Sequence, residues 1–252
     1  VPHHLIDICD PAEVYSAGRF RDDALALIDR IVARGRTPRL VGGTGLYFRS
    51  LQLGIARLPA ADAAVRAQLE ADAAITGWDA MHGRLREVDP EAATRIHAAD
   101  PQRIQRALEV YTLTGRSLSS HLADRSAVPL AGRVHKFVLN FPDRARLHDR
   151  IGTRFQHMLD QGLLEEARGL YQRGDLQPTH PSMRLVGYRQ CWQTLAGEIR
   201  IKQLPDKGIA ATRQLARRQL TWLRQEPGAQ WLEASDPANM DKILKSLKLT
   251  PM

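Results

Sequence analysis

The chain has 252 residues, of which 43% are hydrophobic and 25% are charged, a composition typical of a folded globular protein. Its two cysteines, Cys9 and Cys191, are too few for a disulfide scaffold and lack the spacing of a zinc site, and no stretch approaches the roughly 18 apolar residues of a membrane helix. The net charge of +8 favours polyanionic partners, nucleic acid among them. We therefore expect a cytoplasmic protein with no membrane partner.

The N-terminal region alternates between patterns typical of strands and of helices. Leu5 to Ile8 is a short apolar segment that predicts a strand. Residues 10–13 have the spacing of a helix cap, and apolar residues recur at helical spacing after them. Leu40-Val41 then begins a second strand, which runs into a glycine-rich turn and a further helix. This order predicts a βαβ arrangement and hence a parallel sheet.

The middle of the chain changes character. Residues 60–130 are rich in Ala, Arg and Glu, and Asp89-Pro90 and Asp100-Pro101 each have the sequence of an N-cap followed by a first helical residue. Lys136 to Phe141 returns to a strand pattern, and the rest of the chain is mostly helical. We therefore predict a core domain formed by residues 1–58 and 134–252, with a helical insertion at 59–133.

The turn Gly42-Gly43-Thr44-Gly45 joins the second predicted strand to a helix. Glycines permit positive φ and remove side-chain bulk, and the free N–H groups of a helix that begins near Leu46 favour an anion. The Thr44 hydroxyl adds a hydrogen-bonding group. The pattern is equally typical of a plain tight turn, so the residues alone leave both interpretations open.

Two stretches combine arginine with amide or aromatic side chains. Arg184 and Arg189 can bind phosphate, and Tyr188 between them can stack on a base, unless Tyr188 packs into the core. Near the start of the helix after Asp100, a cluster of polar side chains can read a base edge and hold a phosphate, although most such clusters are solvated helix faces. The members of this cluster are Gln102, Arg103, Gln105 and Arg106.

A third basic stretch lies on a single helix near the C-terminus. At about 100° per residue, Arg213, Arg217 and Arg224 fall within ~40° of one another beside an apolar stripe. Like charges this close repel one another, and a polyanion would relieve the repulsion. The alternative is a solvated rim of the helix.

Taken in order, six stretches resemble one family, the tRNA dimethylallyltransferases or tRNA isopentenyltransferases, over nearly the whole chain. They are VPHHLIDICDPAEVYS, LVGGTGLYF, DPQRIQRALEV, GLLEEA, MRLVGYRQ and ARRQLTWLR. The resemblance implies an α/β fold with a P-loop-NTPase-like, nucleotide-binding parallel-sheet core, a helical tRNA-binding insertion and a mostly helical C-terminal part. It also implies transfer of a dimethylallyl group from dimethylallyl diphosphate to the N6 amine of the adenine 3′-adjacent to the tRNA anticodon, with release of diphosphate. Mg²⁺ is the implied cofactor and accompanies the diphosphate. The implied partners are dimethylallyl diphosphate and the anticodon stem-loop of tRNA, and a monomer is expected.

The resemblance also assigns site residues. Thr44 would lie in a reaction channel beside the reacting groups, with Gly42, Gly43 and Gly45 in its wall and Arg184 as a diphosphate ligand. The implied tRNA-contacting positions are Arg66, Gln102, Arg103, Ile104, Gln105, Arg106, Arg184, Leu185, Val186, Gly187, Tyr188, Arg189, Arg217, Arg218, Gln219, Trp222 and Arg224.

The chain also departs from the family's pattern. The family begins with a phosphate loop of the GPTASGKT type and an Asp that acts as general base, and neither stretch occurs in this sequence. We therefore expect roughly sixty residues, with the Mg²⁺ ligands, to be missing before Val1. The chain as given is expected to bind tRNA weakly and to be inactive. Two other functions stay open, a small-molecule P-loop kinase that uses ATP and a non-catalytic RNA-binding module.

Overall fold

A computed structural model of the protein describes residues 1–54, 56, 58–124, 130 and 132–247. The chain divides into two compact units, which we call the core unit (Val1–Tyr47 with Ala131–Met252) and the helical unit (Phe48–Leu130). The divisions fall after residues 47 and 130, whereas the predicted domain boundaries fall after residues 58 and 133.

Helices dominate both units. In chain order the elements are α1 (Ala17–Ala33), α2 (Gly45–Leu53), α3 (Ala63–Thr76), α4 (Trp78–Val88), α5 (Pro90–Arg95), α6 (Pro101–Thr114), α7 (Leu118–Ala123), β1 (Phe137–Asn140), α8 (Arg144–Asp160), α9 (Leu163–Gln172), α10 (Tyr188–Leu195), a 3-10 turn (Ile201–Gln203), α11 (Leu204–Leu223), β2 (Gln230–Glu233) and α12 (Asn239–Ser246). The two strands pair in parallel, with Phe137 opposite Gln230 and Asn140 opposite Glu233. A small parallel sheet among helices agrees with the predicted α/β class.

Three helices of the helical unit begin at aspartates. Asp62, Asp89 and Asp100 each accept a hydrogen bond from the backbone N–H three residues on, a donor that the helix itself leaves unpaired. Proline follows Asp89 and Asp100 as the first helical residue, which confirms both predicted helix starts. The buried Asp89 also accepts a hydrogen bond of 2.8 Å from the Ser119 backbone N–H, so it joins the starts of α5 and α7.

The helical unit has one apolar core, to which α3, α4, α5 and α6 contribute. Because burial of apolar surface is the main stabilising contribution to folding, this core fixes where the polar faces of the four helices lie. Its buried members are Leu69, Ala73, Met81, Leu85, Ala92, Ala93, Ile96, Ile104, Ala107 and Leu108.

The two strands predicted near the N-terminus are wrong. Neither Leu5–Ile8 nor Leu40–Val41 lies in a strand. Leu5 and Asp7 have φ of 60° and 53°, outside the extended region of backbone conformation. A strand forms only where its N–H and C=O groups meet those of a neighbour, and in the described part of the chain the sheet consists of β1 and β2 alone. Of these two, β1 was predicted and β2 was not.

The first helix also begins later than predicted. Asp10 and Glu13 do pair as in a helix cap, since the Asp10 backbone N–H donates to the Glu13 carboxylate over 3.1 Å. However, this pairing closes an isolated turn, and α1 begins only at Ala17, where the Ser16 hydroxyl accepts the capping hydrogen bond from the Arg19 N–H.

A glycine lets α11 approach α8 closely in the core unit. Phe155 of α8 is 1% exposed, and a Cβ placed on Gly208 of α11 would lie 1.9 Å from its ring. No side chain fits at Gly208 without displacing Phe155, so this contact sets the position of α11 and of the groups that it carries.

Candidate functional site

The glycine-rich turn packs against one face of α11. The Gln219 side-chain amide donates a hydrogen bond of 3.2 Å to the Gly43 carbonyl, and a Cβ on Gly43 would lie 2.3 Å from the nitrogen of that amide. A Cβ on Gly45 would lie 3.3 Å from the Trp222 ring. Neither glycine has positive φ, so close approach is the reason for glycine at these two positions.

Thr44 stands between these two glycines, directly before α2. It is exposed, and within the described ranges its hydroxyl has no hydrogen-bond partner. The Tyr47 N–H already bonds to the Thr44 carbonyl, which places Thr44 at the N-terminus of α2, where free N–H groups favour an anion. The Thr44 hydroxyl is therefore available to a ligand.

Aromatic contacts hold the start of α2 in place. The Tyr47 hydroxyl donates to the Tyr15 carbonyl over 2.8 Å, and the Tyr47 ring stacks on Phe20 of α1 with 4.6 Å between the ring centroids. The Tyr15 hydroxyl in turn donates to Asp23. Burial raises the pKa of Tyr47, and burial followed by the Asp23 hydrogen bond raises that of Tyr15, so both hydroxyls stay protonated donors. The turn is thus fixed from the α1 side as well as from α11.

The basic stripe of α11 lies on a different face from the one that contacts the turn. Arg213, Arg217 and Arg224 are all exposed and lie about 120–160° around the helix from Gln219. Within the part of the chain that the structure describes, their side chains form no ion pair. Arg218 is exposed too, about 100° from Gln219. The basic stripe therefore lies on α11, but on a different face from the one that contacts the glycine-rich turn.

Arg184 and Arg189 border a small cleft in the core unit. The cleft has a volume of about 200 Å³, and Trp192 and Glu198 also line it. Both arginines are exposed, and neither forms an ion pair with any described residue. Leu185 is exposed as well and Val186 half-buried, while Gly187 is buried with φ of 100°, which only glycine adopts readily, at the start of α10.

Of the two interpretations of Tyr188, base stacking and core packing, the structure favours core packing. It is half-buried beside Leu164 and Cys191, and its hydroxyl donates to Glu166. Burial and then the Glu166 hydrogen bond raise the pKa of Tyr188 to about 12. Its ring supports α9 and α10, which is not the environment of an open stacking platform.

In the helical unit, the candidates on α6 fall into two groups. Gln102 and Arg103 are exposed, whereas Ile104 is fully buried in the apolar core. Because a buried side chain cannot reach a ligand, the contribution of Ile104 is to hold α6 in the core. Gln105 is engaged with α3, since its amide donates to the Arg66 carbonyl over 3.2 Å and to Glu70 over 3.0 Å.

Arg66 and Arg106 meet at a residue that sequence reasoning missed. Both guanidiniums bond to the carboxylate of Glu109, which is fully buried in α6. Burial alone would raise the pKa of Glu109, but the hydrogen bonds from Arg66, Arg106 and the Asp62 N–H outweigh it and hold the pKa below its usual value. The sequence carries no local signal for it, because Glu109 lies about 140° around α6 from Ile104, off the apolar stripe that contains Ala107 and Leu108.

A second missed residue is Arg95 of α5. With Arg103 and Arg106 it borders a cleft of about 220 Å³ whose floor includes Ile96 and Leu118. Arg95 donates to the Ser119 hydroxyl over 2.9 Å. The helical unit thus presents three arginines around an apolar floor.

Neither a metal centre nor a membrane helix is found in the described ranges. No group of three or more His, Cys, Asp or Glu side chains there is arranged to hold a metal ion. None of the helices that the structure describes is both long and apolar enough to cross a membrane.

Comparisons with known proteins agree over most of the chain. A sequence model of the family described as IPP transferase matches residues 1–226. The tRNA dimethylallyltransferase of Thioalkalivibrio sulfidiphilus is 56% identical over 239 residues, which cover 94% of this chain and 75% of that protein. The tRNA dimethylallyltransferase of Methylococcus capsulatus is 52% identical over 248 residues, which cover 98% of this chain and 80% of that protein.

Solved structures give the same result. The full-length tRNA isopentenylpyrophosphate transferase of Bacillus halodurans superimposes with a TM-score of 0.63 at 36% identity, covering 98% of this chain and 77% of that one. A eukaryotic dimethylallyltransferase described as acting on tRNA superimposes with a TM-score of 0.77 at 26% identity, covering 98% of this chain and 64% of that one. The family resemblance carried by the six sequence stretches is confirmed, and the chain belongs to the IPP transferase family of tRNA dimethylallyltransferases.

Proposed function

We propose that this protein transfers a dimethylallyl group from dimethylallyl diphosphate to the N6 amine of the adenine 3′-adjacent to a tRNA anticodon. The observation that carries the proposal is the packing of Gly43 and Gly45 against Gln219 and Trp222. It joins a turn suited to an anion with the basic helix α11, although the two lie far apart in sequence. Membership of the family supports the choice of reaction, and this contact supports the choice of the glycine-rich turn as its site.

The chemistry explains why such a place is needed. The adenine amine is a weak nucleophile because its lone pair is delocalised into the ring, so the base has to leave its stack and be held against the allylic carbon. The N6–carbon bond then forms as the carbon–oxygen bond breaks, diphosphate leaves with the electron pair of the broken bond, and the proton that N6 releases passes to water. Preorganised N–H and O–H donors stabilise the charge that develops on that diphosphate.

Thr44 is the residue that we assign to the reacting groups. Its exposed hydroxyl can donate to a diphosphate oxygen or accept from the N6 amine, and the first N–H groups of α2 lie beside it. Gly42, Gly43 and Gly45 keep side chains away from this position. Arg184 is assigned to the diphosphate as well as to tRNA because its guanidinium is exposed and has no described ion-pair partner.

Both units carry groups suited to the anticodon stem-loop. Arg189, Arg217 and Arg224 are exposed cations of the core unit, and Arg66 and Arg106 are partly exposed cations of the helical unit. Guanidinium groups form forked hydrogen bonds to phosphate, and such contacts position RNA without reading its sequence. We assign tRNA binding to these residues and to Arg103, with the chain acting as a cytoplasmic monomer.

Mg²⁺ would enter with the diphosphate and supply charge neutralisation to the leaving group. Mg²⁺ that binds together with a diphosphate commonly takes only one or two protein carboxylates, and no group of three or more His, Cys, Asp or Glu side chains in the described ranges is arranged to hold it. No step of the proposed mechanism is therefore assigned to the metal.

The proposal is tested with the intact protein, radiolabelled dimethylallyl diphosphate and an unmodified tRNA that has adenine next to the anticodon. We expect label at N6 of that adenine and none in a tRNA with guanine at the same position. Binding of tRNA without transfer would indicate an RNA-binding module instead, and turnover of ATP without tRNA would indicate a kinase.

Thr44→Ala tests the placement of the reacting groups. Loss of one preorganised hydroxyl is expected to lower the transfer rate roughly 100-fold and to change tRNA affinity by less than about twofold. Thr44→Ser keeps the hydroxyl and is the matched control, and we expect its transfer rate to be near that of the wild-type protein. Equal losses of rate and affinity in Thr44→Ala would contradict the placement.

A further inference from the structure

Glu109 is a carboxylate in an environment that normally excludes charge. It lies in α6 between the buried residues Leu108 and Val110, and its own side chain is 0% exposed. Moving a carboxylate out of water costs several kcal/mol unless hydrogen bonds and an opposite charge offset the loss. Glu109 therefore needs partners, and the identity of those partners indicates what it does.

Four hydrogen bonds satisfy both oxygens of this carboxylate. Arg66 donates from Nε to Oε1 over 2.8 Å and from Nη2 to Oε2 over 3.1 Å, which is the forked geometry of a strong guanidinium–carboxylate pair. Arg106 donates from Nη1 to Oε2 over 2.6 Å, and the Asp62 N–H donates to Oε1 over 2.9 Å. One buried group thus binds two arginines that come from different helices, α3 and α6.

The same two arginines remain open to solvent on their other side. The Arg66 side chain is 42% exposed and that of Arg106 is 29% exposed. Arg106 is held further by a hydrogen bond of 2.7 Å from Nη2 to the Pro59 carbonyl. Each of the two guanidiniums keeps N–H groups that these hydrogen bonds do not use. Arg66, Arg106 and Glu109 together carry a net charge of +1.

We propose that Glu109 is a positioning residue, which fixes Arg66 and Arg106 as a preformed pair for the phosphates of bound RNA. The inference rests on the proposed tRNA-binding function of these arginines. A free arginine loses side-chain freedom when it binds phosphate, whereas an arginine already fixed by a buried carboxylate has lost that freedom on folding. Glu109 also offsets the mutual repulsion of the two cations in the absence of RNA.

Glu109→Gln separates this role from simple electrostatics because the two accounts predict opposite signs. Removal of a negative charge next to an RNA site should tighten RNA binding if only net charge matters. If Glu109 positions the arginines, the variant should instead bind an unmodified tRNA roughly 10-fold more weakly. The plot of log affinity against log salt concentration should also lose about one contact's slope.

Glu87→Gln is the matched control. Glu87 is an exposed residue of α4 that contacts no described ionic partner, so its replacement removes the same charge from the same unit without releasing an arginine. We expect its tRNA affinity to be unchanged or slightly higher. A drop in both variants alike would overturn the positioning role.

Folding of the variant is separated from positioning by two measurements. Titration at high tRNA concentration gives the fraction of the variant that is folded and able to bind tRNA. The dependence of affinity on salt is then measured for that fraction. If Glu109 only stabilises the fold, the slope of that dependence should stay unchanged. Glu109→Asp keeps the charge but is one methylene shorter, so it cannot hold both guanidiniums, and we expect intermediate affinity. If Glu109→Gln and Glu109→Asp both fold and bind tRNA with the affinity and salt slope of the wild-type protein, the inference is wrong. If the unmodified protein itself fails to bind tRNA, the proposed function fails and this inference fails with it.

Discussion

The two units present arginines in different ways. In the helical unit, Arg66 and Arg106 are anchored on a fully buried carboxylate. In the core unit, Arg213 and Arg217 on α11 and Arg224 at its C-cap are exposed, and no described ionic partner is found for them. Ionic contacts fix the side chains of Arg66 and Arg106. The positions of the three arginines of the stripe depend only on the backbone that carries them.

This difference has an energetic consequence. A buried ion pair is expensive to break because the remaining partner stays buried and uncompensated. An exposed, unpaired arginine contributes almost nothing to folding and is free to interact with a polyanion. Replacements of Arg66 or Arg106 should therefore change stability and RNA binding together, whereas replacements on the α11 stripe should change RNA binding alone.

The largest effect is expected at the contact that places α11. Gly208→Ala puts a Cβ 1.9 Å from the Phe155 ring in a packed core, so the ring or the helix has to move. We expect the free energy of unfolding to fall by about 3 kcal/mol. Thermal or denaturant unfolding of the purified variant measures this.

Gly152→Ala is the control for that replacement. Gly152 lies within α8, and a Cβ there meets nothing within 4 Å. Replacement of a helical glycine by alanine at an open position should stabilise the protein by about 0.5–1 kcal/mol. If both replacements stabilise the protein, α8 and α11 do not pack as described.

The next largest effect is expected for Arg106→Ala. It removes one of the two cations from the buried Glu109 carboxylate, while Arg66 remains bound to it, and should lower the free energy of unfolding by about 2 kcal/mol. Arg103→Ala, in the same helix, removes only an exposed pair with Asp100 and should change it by less than about 0.5 kcal/mol. Denaturant unfolding of both variants makes the comparison. Similar values for the two would show that Glu109 does not depend on Arg106.

Local chemistry was the part of the fold that the sequence predicted well. Asp89-Pro90 and Asp100-Pro101 start helices because the capping bond and the proline geometry involve only neighbouring residues. The strands at Leu5–Ile8 and Leu40–Val41 failed because a strand depends on a partner elsewhere in the chain. For the same reason β2 was missed, since its pairing with β1 joins residues more than ninety positions apart.

The candidate site shows the same limit. The glycines of the turn were recognised, but their reason was visible only once Gln219 and Trp222 were found against Gly43 and Gly45. The sequence left base stacking and core packing open for Tyr188, and its packing beside Cys191 and its hydrogen bond to Glu166 favour the core. Glu109 was missed because its partner Arg66 is 43 residues away, and no local pattern indicates which buried position carries a charge.

The smallest change in stability is expected for Arg217→Ala, and it tests the comparison most directly. Arg217 is exposed on α11 and has no described ionic partner, so the free energy of unfolding should change by less than about 0.5 kcal/mol. Affinity for tRNA should nevertheless fall, and the slope of log affinity against log salt should decrease by about one phosphate contact. Filter binding over a range of salt concentrations, together with denaturant unfolding, gives both quantities for the same sample. An unchanged slope would remove Arg217 from the phosphate contacts, and a loss of stability equal to that of Arg106→Ala would remove the distinction between anchored and unpaired arginines.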